Sequence, residues 1–470
     1  MEEIYPERPE INGQKQKHET LKLIVILSAS MLTIMGSAAV APALPDMLKY
    51  FADVPNAGLL VSMIITLPAF GIIISSPFIG ILADRYSRKK MLMASLAIFA
   101  LVGVTGAFLN TLYVILALRI LLGVGIAGIT ICASALLADN YTGAELKKNI
   151  GLQSACMGLG AMVLEVIGGA LADINWHAPY YIYLSALLII PGVILSISGS
   201  KSSSNHDHGK VGNVMPKKQT PLRSIILIYI ASFTLLVLFF SVPTKLPFVL
   251  KEKGISSALM IGALISIPGL FGTVGGLWNI RVSRYLSEIK TNFIFFLMLG
   301  GGIFILSIAP NISTLIIGLT ITGIAFGVIN ATNMSWLSRI APEHSRGKIF
   351  SGFTTILFLG ELVSPIVIQP ILKTGTLYDA YAFLGIAGIA LGLVFGVINI
   401  MGGHPIKSRE NLKNGEAVNR RVEGISPIYL KLDKETNNRL KSMAGTESSQ
   451  VYICELINEE WSRRKSKNGY

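Results

Sequence analysis

Runs of about 18 or more apolar residues, each long enough for a helix to cross roughly 30 Å of hydrocarbon, recur about twelve times in these 470 residues. Inside a bilayer only helices and closed barrels satisfy every backbone N–H and C=O. The runs lie near 22–43, 57–82, 91–109, 112–138, 149–172, 178–199, 222–243, 258–280, 291–309, 312–337, 349–371 and 378–402. Apolar residues make up 52% of the chain and charged ones 14%, with a mean hydropathy of +0.60, which excludes an ordinary soluble domain of this length. The expected fold class is an all-α membrane protein with twelve transmembrane helices.

Lys and Arg are retained in short cytoplasmic loops. With the N-terminus inside, the external loops hold only Lys49, Lys245, Lys251, Lys253 and Lys373, while Arg85, Arg88, Lys89, Lys90, Arg281, Arg284, Arg339 and Lys348 fall among the internal basic residues. The net charge of +13 is then mostly topology and calls for no nucleic-acid partner. The expected location is a plasma or cell membrane, multi-pass, with both termini cytoplasmic. The first apolar run is too long for a signal peptide and lacks a small-residue cleavage site. Cys132 and Cys156 fall inside spans and Cys454 in the tail, so no disulfide framework is indicated.

An offset of 200 residues brings Pro68 onto Pro268, Gly123 onto Gly323, Lys148 onto Lys348 and Gly160 onto Gly360. Such a register favours a duplicated six-span unit and two pseudo-symmetric six-helix halves. The expected organisation is an N-terminal segment 1–20, a first half 21–199, a linker 200–221, a second half 222–402, a second linker 403–426 and a cytoplasmic β-α-α tail 427–470. His206 and His208 in the first linker read as solvated polarity, and no metal or cofactor is expected.

Between the second and third spans stands GILADRYSRKKML, with Gly80, Asp84, Arg85, Arg88, Lys89 and Lys90 packed into one turn. This pattern resembles the loop signature of the major facilitator superfamily of secondary transporters. The resemblance implies a conformational switch at Gly80, Asp84, Arg85, Arg88 and Lys89. A carboxylate there can accept bonds from a helix start, worth about 0.3–1 kcal/mol when exposed. Ser87 replaces the usual glycine.

Arg119, in LRILLGVGIAG, resembles the arginine of the family's fourth-span motif and implies a coupling role; Leu319 occupies the matching place in the second half. A guanidinium there costs at least about 2.5 kcal/mol and needs a partner or a wet cavity. The fifth span, GLGAMVLEVIGGA, resembles the drug/proton antiporter signature at Gly160, Gly168 and Gly169, but its Gly-Pro is replaced by Leu164 and Glu165. In the second half, LGELVSPIV keeps Ser364 and Pro365 and adds Glu361. Glu165 and Glu361 would lie on one face of pseudo-symmetric helices, one turn apart, and two carboxylates facing one cavity could carry a proton or neutralise a cationic substrate. Alternatively, each is a lone acid bonded to a neighbouring helix. Gln153, Asn330 and Asn333 could bond substrate or pack helices.

In the tail, Ile428, Leu430 and Leu432 alternate like a short strand, and helices follow around Leu440 and Met443 and around Val451 to Trp461. The segment resembles a ribbon-helix-helix domain. Its net charge of +2 from residue 427, eight basic against six acidic residues, suits homodimerisation or regulation better than DNA binding, with an ordinary helical tail that has no partner as the alternative.

No Gly-x-x-x-x-Gly-Lys-Ser/Thr loop is present, so an ion gradient rather than ATP is expected to drive transport. The family resemblance implies a non-enzymatic exporter of a small molecule, amphiphilic or cationic, in exchange for protons, with nutrient symport and a tail-dependent membrane sensor as the alternatives. VAPALP, at Val40 to Pro45, also looks like drug-efflux members.

Overall fold

The computed structural model describes residues 9–197, 222–342 and 345–401. Its first half contains α1 (Pro9–Ala38), a 3₁₀ turn (Ala41–Ala43), α2 (Leu44–Tyr50), α3 (Ala57–Arg85), α4 (Arg88–Val104), α5 (Leu112–Asn140), α6 (Gly143–Ala172), a 3₁₀ stretch (Ala178–Leu184) and α7 (Ser185–Ser196). Its second half contains α8 (Leu222–Glu252), α9 (Ala258–Tyr285), α10 (Glu288–Ile308), α11 (Ile312–Ile340), α12 (Arg346–Leu372) and α13 (Leu377–Met401). Among the described residues, 11 helical stretches are long and apolar enough to cross a membrane. With α1, which carries the first apolar run, the order gives the expected twelve-span fold. The linker histidines His206 and His208 and the whole tail, with its strand and two helices, lie outside the described residues.

The spans alternate between two faces of the bundle. One, here the basic face, carries the α3–α4 turn with Arg85 to Lys90; the other is the far face. The repeat recurs in the packing. A Cβ on Gly123 would collide with the carbonyl oxygen of Pro68, and a Cβ on Gly323 with that of Pro268, so α3 meets α5 as α9 meets α11. The halves join along two seams, α6 against α9 and α3 against α12.

One boundary differs in a way that matters. The seventh span was expected to stop at 243, but α8 continues to Glu252 through Pro243 and Pro247. Prolines are tolerated in membrane helices where neighbouring groups take up the freed carbonyls. The extension moves Lys245 from an expected external loop into the helix, where it is 3% exposed.

Candidate functional site

Arg119 lies in α5 at 3% exposure. Its Nη1 donates to the Tyr183 hydroxyl at 2.6 Å and to the Gly36 carbonyl at 3.2 Å, and Tyr183 donates to the same carbonyl at 3.1 Å. The guanidinium carbon stands 4.8 Å from the Tyr180 ring centre and 5.4 Å from that of Tyr183. Cation–π contact strengthens where water is excluded, so two ring faces and two oxygens hold a charge that has no carboxylate partner among the described residues. Gly103 of α4 and Gly106 of the 3₁₀ turn after it (Thr105–Ala107) make this possible, because a Cβ on either would run into Tyr183 or Tyr180. The remaining Nη2 has no bond partner there and borders a cavity of about 10 Å³ lined by Gly103, Gly106, Leu122 and Tyr180. That volume suits about one water.

Glu165 and Glu361 are each 8% exposed, and among the described residues neither carboxylate has a hydrogen bond or ion pair. They stand on the two helices that meet the opposite half, Glu165 on α6 and Glu361 on α12. Glu165 stands on α6 where it presses on α9: its own carbonyl oxygen fills the space a Cβ on Gly262 would need, with Pro42 of the 3₁₀ turn alongside. Glu361 stands on α12, which packs on α8 and α3. One residue before it, Gly360 lies against the Phe233 carbonyl, and three residues after it Ser364 donates to the Val237 carbonyl at 2.8 Å. Phe239 of α8 stacks on Phe326 of α11 with ring centres 3.8 Å apart.

Lys245 is the buried charge that the sequence pattern hid. Its Nζ donates to Ser62 Oγ at 2.8 Å and reaches the Gly58 carbonyl at 3.5 Å, tying α8 of the second half to α3 of the first. Arg119, Glu165 and Lys245 each lie seven residues from the far-face end of their helix, at Leu112, Ala172 and Glu252 respectively. That places all three about 10 Å below those ends at 1.5 Å per residue.

The far-face ends of the halves are latched. Asp173, just past α6, accepts from the backbone N–H groups of Ala258 and, at 3.1 Å, Leu259, and from the Ser257 hydroxyl at 3.0 Å, while Ser257 Oγ accepts from Met260 N–H at 3.3 Å. The first turn of a helix has N–H groups without intrahelical acceptors, and here the opposite half supplies one. Burial works against the charged carboxylate, but the Leu259 and Ala258 N–H groups, the Ser257 hydroxyl and Lys251 outweigh it and hold Asp173 below the ordinary aspartate range. Lys251 also pairs with Asp46 at 3.2 Å. Gly169 of the fifth-span motif lies against the Ala258 carbonyl, Gly168 against that of Ala39, and Gly160 against Met31, so these glycines serve close helix contact.

At the basic face, Gly80 has open space beside it. The side chain of Asp84, in the last turn of α3, lies outside the described residues. Arg85 is exposed. Arg88 pairs with Asp139 and donates to the Ala135 carbonyl at 2.8 Å, and Lys89 donates to the Ile194 carbonyl at 2.7 Å. Ser87 has φ −64°, a value open to any residue, which explains why serine can replace glycine there. Gln153 donates to Ser30 Oγ at 2.8 Å and Asn333 to Ser232 Oγ at 3.1 Å, both within a half; Asn330 is half-buried.

A twelve-span bundle of two repeated halves with charges buried at its seams is the architecture of a secondary transporter. The Major Facilitator Superfamily profile matches residues 26–365, and the chain belongs to that family; it is a transporter and not an enzyme. The chain is 23% identical over 389 residues to the bacillibactin exporter of Bacillus subtilis (strain 168), covering 79% of this chain and 95% of that protein. It is 24% identical over 390 residues to quinolone resistance protein NorA of Staphylococcus aureus (strain MRSA252), with coverage of 79% and 96%. Against the class H tetracycline resistance protein of Pasteurella multocida it is 28% identical over 207 residues, spanning 44% of this chain and about half (51%) of that relative. The crystal structure of a D-xylose-proton symporter superposes with a TM-score of 0.67 at 16% identity, covering 80% of this chain and 97% of that one, which establishes the shared fold.

Proposed function

We propose that this transporter exports a small amphiphilic or cationic molecule in exchange for protons by alternating access, with the basic face in the cytoplasm. The observation that carries the reading is the pair of buried, unbonded carboxylates, Glu165 and Glu361, one on a helix of each seam. A buried ionised carboxylate without a donor or counter-cation is costly. A proton or a cationic substrate removes that cost, and because each acid stands on a helix that packs across the halves, its occupancy weighs on how the halves meet. Phe239 of α8, the helix on which α12 packs, stacks with Phe326 of α11 and offers an apolar, aromatic surface, a suitable companion for a lipophilic cation.

In this mechanism the far-face latch of Asp173, Lys251 and Lys245 closes the external side while substrate enters from the cytoplasm. Arg119, held by both Tyr180 and Tyr183 of the sixth span and Gly36 of the first, couples the state of α5 to α1 and α7. Gly80, Asp84, Arg85, Arg88 and Lys89 form the switch on the cytoplasmic side. The efflux direction draws on the bacillibactin exporter and quinolone resistance relatives, which align along nearly their whole length. Everted vesicles containing the protein should accumulate ethidium when acid inside, and Glu165→Gln or Glu361→Gln should abolish that uptake. Accumulation that needs no proton gradient, or survives in both variants, would sink the proposal.

A further inference from the structure

At the basic-face end of α9, a cavity of about 610 Å³ is lined by Val274, Leu277, Trp278, Ile280, Arg281 and Arg284. The helix packs Gly272, Gly275 and Asn279 against α11, with Asn279 accepting from Thr332 at 2.9 Å. It turns Gly262 and Thr273 toward α6, and Trp278 meets Phe295 of α10 with ring centres 6.1 Å apart. At 100° per residue, Val274, Leu277 and Arg281 therefore point between α6 and α10, away from α11 and toward the surrounding lipid.

Among the described residues, two cations on this face have no counter-charge. Arg281 and Arg284 are exposed, and among the described residues neither has a hydrogen bond or acidic partner; the nearby Glu288 is taken by Arg339. Their presence is not a requirement of the repeated fold, because the matching positions of the first half are Ile81 and Asp84. Retention of basic residues at a cytoplasmic loop accounts for a cation past the helix end, whereas Arg281 stands a full turn inside the helix and directly follows the Trp278 turn.

We propose that this groove binds the phosphate headgroup of an anionic phospholipid, with the two guanidinium groups on the phosphate and Val274, Leu277 and Trp278 along the upper acyl chain. Arg matches phosphate through paired N–H donors, Trp favours the headgroup level, and the cytoplasmic leaflet is anionic. Only the choice of leaflet rests on the orientation proposed above.

Native mass spectrometry of the full-length protein, equilibrated with equal phosphatidylglycerol and phosphatidylcholine, tests the site without reference to transport. Wild type should retain phosphatidylglycerol preferentially. Arg281→Gln and Arg284→Gln should each weaken that preference about fivefold and the double variant roughly thirtyfold, while Arg223→Gln at the same face leaves it unchanged. Unaltered helicity by circular dichroism would separate lost binding from misfolding. Equal retention of both lipids, a preference that survives the double variant, displacement by millimolar inorganic phosphate, or a protein dimer in place of bound lipid would each overturn the assignment.

Discussion

Arg88 pairs with Asp139 to join the third and fourth spans at the basic face, and the pair recurs 200 residues later with its polarity reversed, as Glu288 with Arg339. The repeat has thus kept the contact and exchanged its charges. Opposite charges hold the same junction in each half, whichever helix carries the cation. Asp139→Asn should lower stability by about 0.5–1 kcal/mol, since Asp139 is 44% exposed and exposed pairs are weak. The exchange Arg88→Asp with Asp139→Arg should recover most of the loss. A double-mutant cycle on thermal midpoints measures it, and additive losses would show that the pair does not interact.

The Tyr183 hydroxyl both receives Arg119 and binds the Gly36 carbonyl. Tyr183→Phe keeps the ring face and removes both bonds. It should destabilise the protein by about 1.5–3 kcal/mol, the range for hydrogen bonds to charged groups, and reduce substrate-driven proton movement. Arg119→Lys should fail to rescue transport, because an ammonium cannot span the two oxygens and two rings in the guanidinium's planar geometry. Melting curves alongside proteoliposome transport separate the two effects.

Lys245 ties α8 to α3 near the joined far-face ends. Lys245→Met, which retains the apolar stem, should shift the population toward a far-face-open state. Spin labels at the far-face ends of α3 and α8 would then show a longer distance population in the variant. An unchanged distribution would make Lys245 a packing residue.

Asp173 gives the far-face latch its pH dependence. Its carboxyl lies below the ordinary aspartate value in the folded protein, so its contribution is complete above about pH 4 and is lost as pH falls through the depressed folded value. Far-face closure should therefore hold steady from about pH 5 to pH 8 and loosen only in stronger acid. Asp173→Ala should weaken closure by about 1 kcal/mol or less, as expected for a solvent-exposed helix cap. Cysteine accessibility at position 256 across pH reads out both.

Much of the fold was legible because hydrocarbon demands long uninterrupted helices, and the 200-residue register of Pro68 and Gly123 with Pro268 and Gly323 reflects a contact that both halves make. The Arg88 and Glu288 relationship was not, since a search for repeated identities passes over exchanged charges. Lys245 was missed because two prolines and three lysines near the end of an apolar run look like a loop; Ser62 and Gly58, more than 180 residues earlier, with the Phe248 ring beside them, make its burial tolerable. The seams of Glu165 and Glu361 depend likewise on which helices of opposite halves meet, a matter of packing between distant segments. The tyrosines that hold Arg119 lie in an apolar span whose 3₁₀ opening turns their rings toward Gly103 and Gly106.

The most direct test of the central claim is proton release by the purified full-length protein on addition of tetraphenylphosphonium, read with a pH indicator in weakly buffered solution. The account predicts release in wild type and its loss in Glu165→Gln or Glu361→Gln with helicity intact. Undiminished release from the double variant would contradict it.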